Sequence, residues 1–363
     1  MNTSNTAYTK SETELLELQN WARQLPKISL HRHLEGSLRI QTLAELAWKC
    51  NISLPAYEIE ALRPYVQITN DPPDFHNYIN KFTLLRHFYV SKDVIERVVR
   101  ETIADAAADN VLYFELRFNP VALSRAGNFS LADVVDWVET TVQQAQQDYQ
   151  CRTCLILQIG REEPIRIADE IVDIAIAHLG DMVRGIDLAG DEVHYPPQLC
   201  KVPFRRAKQA GLRITAHGGE AMGADSVRAA LQYLDAERIG HGIRSIEDAA
   251  VVTMLKSRGT TLEVCPTSNF QTGAAPHPPE HPLGDLYAQG VRVTLNTDNP
   301  SISATTLSNE YVVAVRDIGL KRTMIFDALH NAVDAAFIPD DERDWLKTTF
   351  EEALKPFEEA LLS

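Results

Sequence analysis

Eight short runs rich in apolar and β-branched residues recur along the chain, with segments of helical periodicity between them. In order they are KISLHRHL (27–34), VLYFELRF (111–118), CLILQIG (154–160), VRGIDLAG (183–190), RITAHGGE (213–220), RIGHG (238–242), TLEVCP (261–266) and VRVTLNTD (291–298). Runs this apolar on both parities belong to strands buried on both faces, which is the condition of a parallel sheet covered by helices. The intervening SLADVVDWVETTVQQAQQ and GADSVRAALQYLD repeat apolar residues at helical spacing, and serine or aspartate stands at the caps. Strand and helix alternating eight times specify an α/β chain whose sheet closes on itself, a (β/α)8 TIM barrel with an outer ring of helices. The interval after the first run is the longest, so residues 60–110 read as extra helices inserted there. Residues 11–25 and 340–361 read as helices outside the repeat.

A chain of 363 residues has room for two domains, but single barrels routinely exceed about 250 residues. No internal repeat, low-complexity tract or linker divides the sequence, so residues 1–363 read as one domain. Acidic residues outnumber basic ones by 50 to 35, and the net charge of −15 repels the phosphate backbone that a nucleic-acid binder must neutralise. The opening MNTSNTAYTK lacks an export or organelle pattern, and no apolar run reaches the roughly 18 residues of a membrane span. Five cysteines, an odd number in a long chain, fit a reducing compartment. The expectation is a cytoplasmic protein whose partner is a small molecule. CRTC (151–154) has no second cysteine pair or finger-spaced histidines, so its thiols read as structural.

Barrel enzymes carry their chemistry at the C-terminal ends of the strands. On the first strand His31 and His33 share one face, because successive side chains alternate. Two imidazoles aimed at one point supply half of a metal shell; the alternative is a pair of polar strand-end residues satisfied by backbone or carboxylates. The fourth strand ends in Gly190 and Asp191, the fifth in His217 and Glu220, the sixth in His241, and the eighth in Asp298 and Asn299. Ligand-type and acid/base residues at one rim point to a metal-dependent hydrolase. The fourth strand has no lysine to bridge two metals, so one metal is expected. Arg117, near the end of the second strand, is either a phosphate contact or the ion-pair partner of a neighbouring acid. A polynucleotide deaminase would need H-x-E with P-C-x-x-C, and neither is present.

With these residues in place, the chain resembles the adenosine deaminases, the mononuclear-zinc branch of the amidohydrolase superfamily. LPKISLHRHLEGSL is similar to the family's opening H-x-H-L-[DE]-G motif, and IDLAGDE, TAHGGE, RIGHG, CPTSN and VTLNTDNP follow in the family's order. The resemblance runs from about residue 25 to 340. It implies one Zn2+ held by His31, His33, His217 and Asp298, though ligand type alone leaves iron or cobalt open. It implies hydrolytic deamination of a 6-aminopurine, adenosine or 2′-deoxyadenosine to the inosine product plus ammonia. Glu220 would protonate ring N1, which requires its pKa to be raised. His241 would orient or deprotonate the attacking water, and the Gly190 N–H would meet ring N3; a plain turn is the alternative for Gly190. Ser268 and Asn269 would support the rim.

Two positions depart from the family pattern. Asn299 stands where many members have an aspartate against purine N7, and an amide donates there at any pH. Glu35 stands where adenosine-specific members have an aspartate against the ribose 5′-hydroxyl, and its extra methylene would push the sugar or shorten the pocket. Adenine deaminases and aminodeoxyfutalosine deaminases therefore remain alternative identities, with a non-catalytic purine-binding barrel more remote. DFHNYINKFTLLRHFY (74–89) places Phe75, Tyr78, Ile79, Phe82 and Leu85 on one helical face. That face either docks on the barrel or forms an apolar lid over the purine. His76, His87, His178, His194 and His330 fall away from the strand ends, and His277 and His281 read as loop residues.

Overall fold

The computed structural model describes residues 12–362 except 181 and 279, so the opening decapeptide lies outside the described residues. Eight parallel strands form one sheet in sequential order: β1 (Lys27–His33), β2 (Val111–Phe118), β3 (Arg152–Gly160), β4 (Val183–Ala189), β5 (Arg213–Gly218), β6 (Arg238–His241), β7 (Thr261–Val264) and β8 (Arg292–Leu295). All eight runs read from the sequence are strands. Several stop short of the polar residues that follow, because the chain turns out of the ladder to build a rim. His241 (φ 59°) and Asp298 (φ 60°) take left-handed backbone there, a conformation uncommon for residues with a side chain and concentrated at functional sites.

The barrel closes where β1 meets the end of β8. The His33 N–H donates to the Asp298 carbonyl at 2.9 Å, and the Asp298 N–H donates to the His31 carbonyl at 3.0 Å. Just below, the Asn296 side chain completes the seam, its Oδ1 accepting from the N–H groups of Leu30 (2.9 Å) and His31 (3.1 Å). A side-chain amide thus satisfies two strand donors that would otherwise be buried unpaired.

The interior beneath the rim is charged. Arg117 on β2 pairs with Asp187 on β4 (3.1 Å) and Glu263 on β7 (2.8 Å), while Arg238 on β6 pairs with Glu115 and with Glu263 (2.7 Å). All are buried. Arg117 is therefore an ion-pair partner deep in the barrel and offers no rim contact for phosphate.

Between β1 and β2 lie the helices Ile40–Lys49, Ile59–Val66, Phe75–Leu85 and Lys92–Ala108, so the extra helical layer begins at Ile40, well ahead of residue 60. Terminal helices span Glu12–Gln24 and Asp340–Leu362. The helix Leu131–Tyr149 is capped by Ser130, whose side chain accepts from the Asp133 N–H. The helix Ala224–Ala229 starts after Gly223 with no side-chain cap, contrary to the expected serine or aspartate. Cys151 and Cys154 are buried free thiols on or beside β3.

Candidate active site

Nε2 of His33 lies 3.2 Å from Nε2 of both His31 and His217, and Oδ1 of Asp298 lies 3.4 Å from His31 Nε2 and 3.2 Å from His33 Nε2. The alternation of β1 delivers the first two, the end of β5 the third, and the turn after β8 the fourth. All four side chains are buried, and one ligand atom from each lies within 4.8 Å of the others. These separations suit N and O ligands placed about 2.0–2.2 Å from a common ion.

The surroundings fix which nitrogen faces that point. His31 Nδ1 meets Glu263 Oε2 at 2.7 Å, His33 Nδ1 meets Gln158 Oε1 at 2.7 Å, and His217 Nδ1 meets Asp187 Oδ1 at 3.1 Å. Each partner is an acceptor, so each ring carries its proton on Nδ1 and turns the Nε2 lone pair inward. Burial opposes ionisation of Asp187 and Glu263, but His217 and Arg117 hold the first, and Arg117 and Arg238 the second, below the usual carboxylate range. Three converging lone pairs and a carboxylate, above an interior with three carboxylates to two guanidiniums, form a site that demands a cation. Asp298 Oδ2 is tied back by Ser268 Oγ (2.7 Å) and the Tyr78 hydroxyl (3.4 Å), leaving Oδ1 for the cluster.

Glu220 and His241 sit beside the cluster, with Glu220 Oε2 3.5 Å from His241 Nε2. Burial, reinforced by Asp298 and Glu192, pushes the Glu220 carboxyl well above its usual pKa, against the opposing pull of Arg161. The loop that carries it is held by Glu192, whose carboxylate accepts from the N–H groups of Gly219 (2.6 Å), Glu220 (3.2 Å), Ala221 (2.7 Å) and Met222 (3.0 Å). Asn269 donates to His241 Nδ1 at 3.0 Å.

A cavity of about 260 Å³ opens above these groups, lined by His33, His217, Glu220, His241, Asp298 and also by Glu35, Gly190, Asn299, Phe75 and Phe82. The structure thus brings these ten sequence-derived residues to one pocket, with His31 beneath them in the cluster and Ser268 and Asn269 behind Asp298 and His241. Gly190 has φ 108°, where any side chain is strained, and a Cβ there would fall 2.4 Å from the Glu162 carboxylate and displace it. Glu35 lies along the rim, its Oε1 accepting from the Asn119 N–H at 2.8 Å while the buried Oε2 has no partner. Asn299 is buried with its Oδ1 against Gly36.

The helix Phe75–Leu85 roofs the pocket, opened by Asp74, which accepts from the Asn77 N–H. Its pocket face is less apolar than expected. Phe75, Tyr78, Ile79 and Phe82 line the cavity, but Asn80, Thr83 and Arg86 do too, and Leu85 turns into the core. A larger cleft of about 510 Å³ lies elsewhere, behind β1 beside Arg32 and Asp105, and holds none of the cluster.

Sequence reading missed the supporting residues. Asp187, Glu263 and Gln158 are mid-strand residues whose inward parity was a usable signal; Glu192 in IDLAGDE, Tyr78 on the 74–89 face and His281 in its loop carried no local sign of the partners they bond. His281 is a loop residue as expected, but it is buried and bonds Asn269. Asp191 caps its own turn and binds His194 (2.7 Å), outside the pocket lining.

A family model described as adenosine deaminase matches residues 26–353. An adenosine deaminase from Yersinia enterocolitica is 37% identical over 324 residues, covering 89% of this chain and 97% of the relative. Among solved structures, an amidohydrolase from Burkholderia ambifaria with bound zinc superposes with TM-score 0.86 at 25% identity, over 99% of this chain and 97% of that one. An adenine deaminase from Arthrobacter aurescens gives TM-score 0.84 at 28% identity, over 91% and 99%.

Proposed function

Because the chain belongs to the adenosine deaminase family, we propose that this hydrolytic deaminase acts on adenosine and 2′-deoxyadenosine, with one zinc ion held by His31, His33, His217 and Asp298. The observation that carries the reading is the convergence of those four side chains in one cluster, with Glu220 and His241 beside it at the floor of the pocket. When bound, the ion supplies the Lewis acidity that makes hydroxide available from water at neutral pH.

The chain's own residues supply the rest. A buried Glu220 carboxyl with a raised pKa donates a proton to purine N1, which makes C6 electrophilic. After oxygen adds to C6, the same carboxylate carries a proton from that oxygen to the departing amine, and the C–N bond breaks to release ammonia. The proton that water loses on becoming hydroxide restores the Glu220 carboxyl, so one water is consumed and the 6-oxopurine and ammonia account for all its atoms. Gly190 lets the backbone approach the ring edge, and Asn299 offers an amide toward N7. Glu35 Oε2, buried and unpartnered, is an acceptor for a sugar hydroxyl. The roof of Phe75, Tyr78, Ile79 and Phe82 excludes water from the reacting carbon.

Residues 1–363 are read as one domain, since the eight strands use most of the chain's span. No helix among the described residues is long and apolar enough to cross a membrane; the five free cysteines support a reducing, cytoplasmic setting.

The adenine deaminase neighbour favours a second reading, an enzyme of the free base, and the Glu35 carboxylate a third, an enzyme of a 5′-extended nucleoside. Zinc-loaded protein is to be assayed for kcat/KM on adenosine, adenine and a 5′-extended adenosine by the ultraviolet change from 6-amino- to 6-oxopurine. Adenosine should exceed both by about tenfold, the worth of one sound polar contact. Preference for either rival would reassign the substrate while keeping the chemistry.

A further inference from the structure

Four imidazoles crowd the rim, with His31 and His241 ring centroids 5.0 Å apart and those of His217 and His241 5.3 Å apart. Three of them present Nδ1 to an acceptor. The fourth, His241, presents Nδ1 to a donor, and the polarity of that contact traces back to the main chain.

The Leu283 N–H donates to His281 Nδ1 at 3.1 Å. That nitrogen must carry its lone pair, so the His281 proton sits on Nε2. His281 Nε2 lies 3.3 Å from Asn269 Oδ1, which accepts that proton's hydrogen bond and sets the orientation of the amide. The amide nitrogen is thereby turned to His241 Nδ1, 3.0 Å away. An NH2 group can only donate, so Nδ1 of His241 is the acceptor and the neutral ring holds its proton on Nε2. Asn269 and His281 are fully or nearly fully buried, and burial lowers the His281 pKa to about 3, so the ring that starts the relay stays neutral.

Resting on the deaminase reading, we propose that Asn269 and His281 are positioning residues that lock His241 as its Nε2–H tautomer. His241 then serves the reacting oxygen as a hydrogen-bond donor, and Glu220 alone exchanges protons. A base at this position would need a lone pair on Nε2, where the relay places a hydrogen. Glu220, 3.5 Å from that hydrogen's nitrogen, gives its own proton to N1, moves a second from the added oxygen to the amine, and regains one from the water that becomes hydroxide, so His241 ends each cycle as it began.

The test replaces the donor by an acceptor of the same shape. In Asn269→Asp the carboxylate accepts from Nδ1, which moves the His241 proton off Nε2. Ring nitrogen spectra of the 15N-labelled, zinc-loaded protein, with His241 assigned by its loss in His241→Gln, should show a protonated Nε2 in the wild type at alkaline pH. In Asn269→Asp they should show a protonated Nδ1. With zinc content unchanged, kcat should fall about 10²–10⁴-fold and KM should hold, as for a lost preorganised donor or a reversed tautomer. His281→Gln, whose amide can still donate to Asn269, should keep most of the activity, whereas His281→Leu should lose it through kcat.

A wild-type ring protonated on Nδ1 overturns the proposal, as does full activity in an Asn269→Asp protein whose tautomer has reversed. The spectra report the tautomer even if the purine substrate is misassigned, so the two failures are distinguishable.

Discussion

Oε2 of Glu263 lies 2.7 Å from Nδ1 of His31, and neither side chain is exposed to solvent. The same carboxylate balances Arg117 and Arg238, so it orients a metal ligand and neutralises the barrel interior together. Glu263→Gln should weaken zinc binding about 10- to 100-fold. It should also destabilise the fold, by less than the about 3–5 kcal/mol of a charge left wholly unpaired, because two buried guanidiniums each lose one of two carboxylate partners. Gln158→Leu removes the acceptor for His33 without unbalancing charge, so it should show the affinity loss with a smaller stability loss. Chelator competition and denaturant melts on both variants separate the two effects; equal stability losses would refute the division.

Metal removal should destabilise the protein, because three inward lone pairs and the Asp298 carboxylate then face one another uncompensated. Free zinc at about 100 times its Kd should stabilise the folded state by about 2.7 kcal/mol over the stripped form. Calorimetry before and after chelation, with zinc restored, measures this; an unchanged melting temperature would count against the four-ligand site.

Glu220→Gln should lower kcat about 10²–10⁴-fold at full zinc occupancy. The amide keeps a donor for N1 but cannot carry a proton onward. Near-normal turnover in a folded, zinc-loaded variant would remove Glu220 from the mechanism.

Glu310 gives a pH dependence of stability. Burial raises its pKa from 4.5 to about 7, against the hydrogen bonds from the Thr267 N–H (2.9 Å) and the Thr305 hydroxyl (2.6 Å). The folded state therefore holds a proton that the unfolded chain releases earlier. This contribution is complete below pH 4.5, declines as pH rises toward 7, and is gone above it. The difference between 7 and 4.5 corresponds to about 3 kcal/mol at most. Denaturation midpoints of the wild type between pH 4.5 and 8 should fall relative to Glu310→Gln, and parallel curves would show that Glu310 does not titrate there.

The sequence by itself determined the eight strands, their parallel order and the rim that collects the reactive residues. Apolar runs buried on both faces admit few other arrangements, and a period of two places His31 and His33 on one face wherever β1 lies. The motif residues His217, Glu220, His241 and Asp298 were legible because each lies at or within a few positions of its strand's C-terminal end. Tertiary structure alone decided what each group can do there. His217 and His241 are both imidazoles ending neighbouring strands, and nothing local separates a lone-pair ligand from a hydrogen donor. The difference is made by Asp187 on β4, which accepts from His217, and by Asn269 and His281 beyond β7, which donate toward His241. Hydrogen-bond polarity depends on the partner across space, and partners 12 to 30 residues away leave no periodic trace in a chain. The Asn296 seam, the Glu192 clasp and the Arg117 ion pairs were hidden likewise, because a buried polar residue is defined by what the fold brings to it.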